Sequence, residues 1–151
     1  MRAAGCWATA MDDLAIRAAT SADLDRVLEF WNEAAEGTSI SDDRPGLDML
    51  LDRDPGALLL AECGGPAPAG TVIAGFDGWR CHLYRLAVHP RYRRRGVATA
   101  LLEAAEQRFT ALGGRRADAM VLDRNGSAHG AWSAAGYASQ AQWSRWVKYL
   151  V

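Results

Sequence analysis

Apolar positions along the chain fall into alternating and helical registers, and these predict most of its elements. Residues 14–20 (LAIRAAT) alternate and are β-prone, which predicts a first strand. Leu24, Val27, Leu28 and Trp31 recur at helical spacing, which predicts a helix over 21–34 with Thr20 and Asp23 placed as a capping-box variant. Turn residues fill 36–46, and 47–55 reads as a short helix stopped near Pro55. The apolar run 57–64 predicts a buried strand, and the β-branched run 71–78 forms a hairpin with it across GPAPAG. A third strand over 80–88 follows through Asp77-Gly78. Leu101, Leu102, Ala105, Phe109 and Leu112 mark one face of a helix over 97–113, ended by Gly113-Gly114. A strand over 117–123, a short helix over 127–136 ending at Gly136, and an alternating final strand over 140–150 complete the pattern. The order β-α-α-β-β-β-α-β-α-β contains strand-helix-strand crossovers. The expected class is therefore α/β (α+β by some schemes), with a mixed central sheet of about six strands flanked by helices.

Composition narrows this to one ordinary domain over 1–151, with no repeat, low-complexity tract or linker. Half of the 151 residues are hydrophobic, enough for a core without disulfides. The net charge of −1 speaks against a nucleic-acid or membrane partner, which would demand a basic face. No apolar run approaches the length of a transmembrane helix. The cysteines, Cys6, Cys63 and Cys81, are odd in number and lack metal-ligand spacing, so they read as thiols of a reducing cytoplasm, and no metal is expected. Residues 1–11 lack the sustained apolar core of a signal peptide and are expected to be a weakly ordered or accessory tail; Met11 is an alternative start.

Against that near-neutral background, AVHPRYRRRGVATALL (87–102) places Arg91, Arg93, Arg94 and Arg95 immediately before Gly96 and an apolar helix. A helix start leaves its first backbone N–H groups unpaired and carries about half a positive charge. A strand turning directly into such a helix makes an anion site. Gly96 frees the turn and lets a ligand approach the backbone, while Ala98 keeps the next turn narrow. Repulsion among the arginines is tolerable if a multiply charged phosphate sits among them. Neither the P-loop pattern nor the dinucleotide glycine pattern is present.

What is present is Arg93-x-x-Gly96-x-Ala98, between a strand and a helix. It resembles the pyrophosphate loop of the GNAT superfamily of acyl-CoA N-acetyltransferases. Asn125, Ala128, Gly136 and Tyr137 resemble that family's second segment. The resemblance implies a GNAT fold whose sheet splays at the acyl-CoA site, and an acetyl-CoA cosubstrate. Leu86, Ala87 and Val88 of the strand, Arg93, Arg94, Arg95, Gly96, Val97, Ala98 and Thr99 of the loop, and Asn125 and Trp132 downstream would contact it. The Val88 N–H would polarise the thioester carbonyl. An amine would attack directly in a ternary complex, since no Ser-His-Asp or Cys-His nucleophile is in evidence.

His82 lies in the middle of the third strand and, by alternation, shares a face with Tyr84, Leu86 and Val88. Two readings stand for it: the base that deprotonates the amine, or a hydrogen-bonded strand histidine. Cys81 points to the opposite face, which excludes a Cys-His dyad. The family often carries a proton-donating tyrosine where this chain has Trp132. An indole is no usable acid, so Trp132 reads as a wall, and Tyr84, Tyr137 or water is left to protonate the leaving thiolate. Asp42, Asp43 and Arg44 border the expected acceptor site; the aspartates suit either a cationic acceptor or a helix cap. The acceptor is a small-molecule amine or a peptide, a non-catalytic acyl-CoA-binding module being the alternative, and the protein is a monomer or a homodimer.

Overall fold

Five strands form one open sheet in the order β1-β2-β3-β4-β5, each beside the next in sequence. The computed structural model describes residues 13–37 and 39–151, and the tail expected over 1–11 lies outside them. β1 (Ala15–Ala18), β2 (Leu58–Glu62), β3 (Gly70–Phe76) and β4 (Cys81–Val88) pair antiparallel with their neighbours. β5 (Ala117–Ala119) runs parallel to β4, so this pair alone needs a crossover, supplied by α3 (Val97–Ala111). α1 (Leu24–Ala34) and α2 (Arg44–Arg53) fill the connection from β1 to β2, and α4 (Gly126–Ala134) follows β5. This is the mixed, helix-flanked sheet that the apolar pattern implies.

Alternation along β2 and β3 gives the sheet two buried faces. On one, α3 packs Val97, Leu101, Leu102, Ala105 and Phe109 against Leu59, Val72, Ala74 and Leu83. On the other, α1 and α2 pack Leu24, Val27, Phe30, Trp31 and Leu47 against Leu58, Leu60 and Ile73. Each fully buried side chain of this size contributes about 1.5–3 kcal/mol, so these faces hold the helices to the sheet. Arg108 of α3 adds a staple, donating to the carbonyls of Gly56 (2.9 Å) and Ala74 (3.1 Å) and pairing with Asp54.

Four elements differ from expectation. α2 begins at Arg44 because Asp43 Oδ1 accepts the Gly46 N–H at 2.8 Å and Pro45 suits a first turn. Leu112, expected on the buried face, is exposed because α3 ends at Ala111. The strand expected over 140–150 does not form, so the sheet has five strands and not six. Its alternation is impure: Trp143, Val147 and Tyr149 share one parity with Arg145, and Trp146 and Leu150 share the other with Lys148, so neither face is apolar throughout. β5 likewise ends at Ala119, because the chain beyond it leaves the β4 ladder.

Candidate active site

β4 pairs with β3 along its length but with β5 at only three positions, Cys81 with Ala117, His82 with Asp118 and Leu83 with Ala119. From Tyr84 onward no strand among the described residues pairs with its outer edge, and the sheet splays there. The His89 N–H donates to the Ala69 carbonyl at 2.8 Å. Antiparallel pairing alternates, so the N–H of Val88, one position back, points away from β3 and into the splay.

A β-bulge divides β4. Tyr84 stands opposite Ile73 and Ala87 opposite Thr71, so β4 carries one extra residue, with Arg85 at φ 50°. The bulge is pinned from inside. Thr71, fully buried, donates its hydroxyl to the Arg85 carbonyl at 3.0 Å and accepts the Trp31 indole N–H at 2.8 Å. The Arg85 guanidinium pairs with Asp42 and donates to the carbonyls of Glu36 (3.2 Å) and Gly37 (3.3 Å), which ties the loop before α2 to the strand. The extra residue inverts side-chain parity. Leu86 and Val88 pack toward α3, whereas Tyr84, beside Ile73, and His82 face the α1/α2 side. The shared face expected for His82, Tyr84, Leu86 and Val88 is therefore corrected.

Beyond Val88 the chain makes a tight turn, Pro90–Tyr92, anchored by buried Tyr92 and by the Arg91 N–H donating to His89 Nδ1 at 3.2 Å. Arg93 Nε donates back to the Val88 carbonyl at 3.3 Å. Gly96 then adopts φ 81°, the left-handed region, as the N-cap of α3. It offers no capping side chain, and the first turn of α3 holds no acid. The first turn of α3, at Val97, Ala98 and Thr99, is thus left without a side-chain cap beside three exposed arginines, Arg93, Arg94 and Arg95. A Cβ built on Gly96 meets nothing within 4 Å, so the space above the helix start is open. An open strand edge running into an uncapped, arginine-flanked helix start fits a long ligand ending in phosphates. Among the described residues no group of His, Cys, Asp or Glu is arranged to hold a metal ion.

Downstream, the expected contacts are otherwise engaged. Asn125 Oδ1 accepts the Ala128 N–H at 3.2 Å and caps α4. Trp132 packs edge-on to Tyr137 with ring centroids 5.0 Å apart. The Tyr137 hydroxyl donates to Glu106 Oε1 at 2.9 Å, and burial together with that carboxylate pushes its pKa well above the ordinary tyrosine value. Leu86 and Val88 lie on the α3 side and Arg93, Arg94 and Arg95 stand exposed at the start of α3, whereas Ala87 is buried on the α1/α2 side; Asn125 caps α4, and Trp132 and Tyr137 pack against each other.

His82 sits where β4 and β5 part. Its Nδ1 lies 2.7 Å from Asp118 Oδ1 and its Nε2 3.7 Å from Asp77 Oδ2. Tyr84, 49% exposed, lies beside it with ring centroids 6.1 Å apart. Both aspartates escaped the sequence reading. Asp118 becomes visible only once the β4–β5 register is known, and Asp77 reads locally as a hairpin turn residue. Asp42 and Asp43 are spent on Arg85 and on the α2 cap. A recess of 340 Å³ remains between α1 and this loop, lined by Leu28, Trp31, Asn32 and Asp42 among others.

The family model described as the acetyltransferase (GNAT) family matches residues 16–137. An acetyltransferase of Yersinia enterocolitica is 32% identical over 125 residues, covering 83% of this chain and 88% of the relative. The chain belongs to the GNAT acetyltransferase family. Two solved structures share the fold of this GNAT chain. Ard1 from Thermoplasma volcanium superposes with a TM-score of 0.73 at 18% identity, with 85% of each chain covered. The Salmonella typhimurium protein yncA, whose structure contains its cofactor acetyl-CoA, superposes with a TM-score of 0.67 at 18% identity, over 85% and 82% of the two chains. As a GNAT acetyltransferase the protein is an acyl-transferring enzyme, and its splayed β4–β5 edge and α3 start lie within the matched residues.

Proposed function

We propose that the protein transfers the acetyl group of acetyl-CoA to an amine by direct attack in a ternary complex. The open β4 edge leading into the uncapped N-terminus of α3 carries this reading. Acetyl-CoA supplies an activated acyl thioester, and the groups that bind and orient it belong to this chain. Arg93, Arg94 and Arg95 with the N–H groups of Val97, Ala98 and Thr99 hold the pyrophosphate. Leu86 and Val88 line the path of the pantetheine arm, and the Val88 N–H donates to the carbonyl oxygen as negative charge grows on it. The acceptor enters from the opposite, α1/α2 side, past Tyr84 and the recess beside α1.

His82 takes the proton of the acceptor ammonium. It lies six positions before Val88 on the α1/α2 side, so the acceptor must present its ammonium within one water of Nε2 as it enters past Tyr84. Tyr137 holds its proton too tightly, and too close to Glu106, to serve as the acid for the thiolate. A thiol of ordinary pKa near 8.5 leaves without a dedicated acid at little cost. Thermal denaturation with CoA and acetyl-CoA, and a panel of amines and peptides with free thiol as the readout, test the proposal. Both nucleotides raise Tm, as any ligand selective for the native state must, and at least one amine releases thiol. No shift at millimolar CoA overturns the cofactor site; binding without release from any amine identifies a binding module in place of an enzyme.

A further inference from the structure

We propose that Asp118 is the positioning residue of His82, setting the tautomer that lets the imidazole act as a base; this rests on the amine acetylation proposed above. The pairing comes from the fold. His82 and Asp118 stand in register on the parallel strands β4 and β5, so their side chains leave the sheet on one face, one position before the final pair, Leu83 with Ala119. The Asp118 carboxylate can only accept, so the 2.7 Å contact calls for a proton on Nδ1, and in the neutral ring that tautomer leaves the lone pair on Nε2. Among the described residues Nε2 faces Asp77 Oδ2 at a long 3.7 Å, and the other Asp77 oxygen, Oδ1, already accepts the N–H groups of Trp79 (2.8 Å) and Arg80 (2.6 Å) in the β3–β4 turn. Nε2 is therefore the nitrogen that can take a proton, and Asp77 lies opposite to meet the N–H that results. The His82 side chain is 31% exposed, which leaves this nitrogen within reach of water and acceptor.

The surrounding charges complete the arrangement. Arg116, just before β5, stands 3.8 Å from the second Asp118 oxygen, and Arg80 stacks over Trp79 at 4.4 Å. Tyr84 lies on the strand side, with Arg145 of the C-terminal segment acting on it at longer range. Burial and the two carboxylates raise the Tyr84 pKa, so its hydroxyl stays protonated and does not compete as a base. In the reaction one proton passes from the ammonium through water to Nε2 and then to solvent. The free amine then attacks: the new C–N bond forms as the C–S bond breaks, its electron pair leaving on sulfur, and the second nitrogen proton is shed through water to the thiolate or to solvent.

The test uses the full chain and two readouts. Nitrogen NMR of the imidazole reports the His82 tautomer without any acceptor, and kcat against pH reports its use with whichever amine the panel identifies. In the parent protein Nδ1 carries the proton. Asp118→Ala releases that constraint, so the tautomer shifts to Nε2–H. Turnover falls by about tenfold to a hundredfold, with CoA affinity unchanged and the acid limb of the pH profile displaced. Asp118→Asn keeps shape and an acceptor oxygen without the charge; it retains part of the tautomer preference and lies between the two, and it carries the test if alanine unfolds β5. An unchanged tautomer and an unchanged profile in the variants overturn the proposal. A shifted tautomer with turnover unaffected, together with full activity of His82→Ala, leaves Asp118 holding an idle imidazole. That outcome overturns the catalytic part of the proposal and refutes the base, while acetyl transfer itself still stands on thiol release.

Discussion

Thr71 is a hydroxyl buried beyond the reach of water, and its two hydrogen bonds run to Trp31 and to the bulge carbonyl of Arg85. Replacing Trp31 by phenylalanine keeps the ring in the α1 core but removes the donor, leaving a buried oxygen short of a partner. We expect Trp31→Phe to cost about 1–2 kcal/mol, read as a lower denaturation midpoint with an unchanged denaturant slope. Asp23 is the one buried acid among the described residues. Its carboxylate accepts from Arg17, from Arg26 and from the Thr20 N–H, and the Arg17 guanidinium foremost holds its pKa well below the usual carboxylate range. A group depressed in the folded state stabilises above its unfolded pKa, near 3.9 for aspartate, and loses that contribution as pH falls. Asp23→Asn should therefore cost about 2–3 kcal/mol at pH 7, and the gap from the parent should narrow steadily as the pH is lowered below about 4. A gap that persists undiminished at pH 2 would show that shape, and not charge, holds this corner.

At the scale of elements, the junction of β4 and α3 is the part of the site that sequence alone makes legible. Its chemistry is local: four arginines, a glycine at a helix start and a small residue one turn on need no knowledge of distant contacts. Gly96 sits at positive φ with open space above it, so Gly96→Glu folds, at about 1–2 kcal/mol of backbone strain, while its carboxylate occupies the place of the phosphates. We expect near-parent circular dichroism and no thermal shift with CoA; a normal shift would mean that the phosphates bind elsewhere. The bulge in β4 was not legible, because an inserted residue leaves no mark in the alternation of CHLYRLAV and exists only against the register of β3. The same reasoning explains Asp118, an acid between two alanines whose partner is set by strand pairing. It explains Asp42 as well, whose partner Arg85 is forty-three positions away. The final strand over 140–150 was misread for the opposite reason: a local pattern suggested a ladder that no neighbouring strand supplies.

For the molecule as a whole, a net charge of −1 coexists with an arginine cluster at one end of α3, so attraction for phosphates is a property of that corner and not of the surface at large. The two faces of the sheet divide the work. The side of α3 takes Leu86 and Val88, and the side of α1 and α2 takes His82 and Tyr84. Tyr84→Ala should then change KM for the amine by about fivefold or more, the loss of one aromatic contact of roughly 1 kcal/mol, while calorimetry gives a Kd for CoA within about twofold of the parent. Weakened CoA binding in that variant would mean that both faces serve one ligand.

The single extra residue at Arg85 has a consequence for how such an enzyme can change over time. Because it turns the strand over halfway along, substitutions at residues 82 and 84 and substitutions at residues 86 and 88 are felt by different molecules. A lineage can rework its taste in amines on one side while its hold on the acyl donor drifts hardly at all. Deleting Arg85 would straighten the ladder and still leave Leu86 and Val88 on the α3 side, because both already stand there in register with β3.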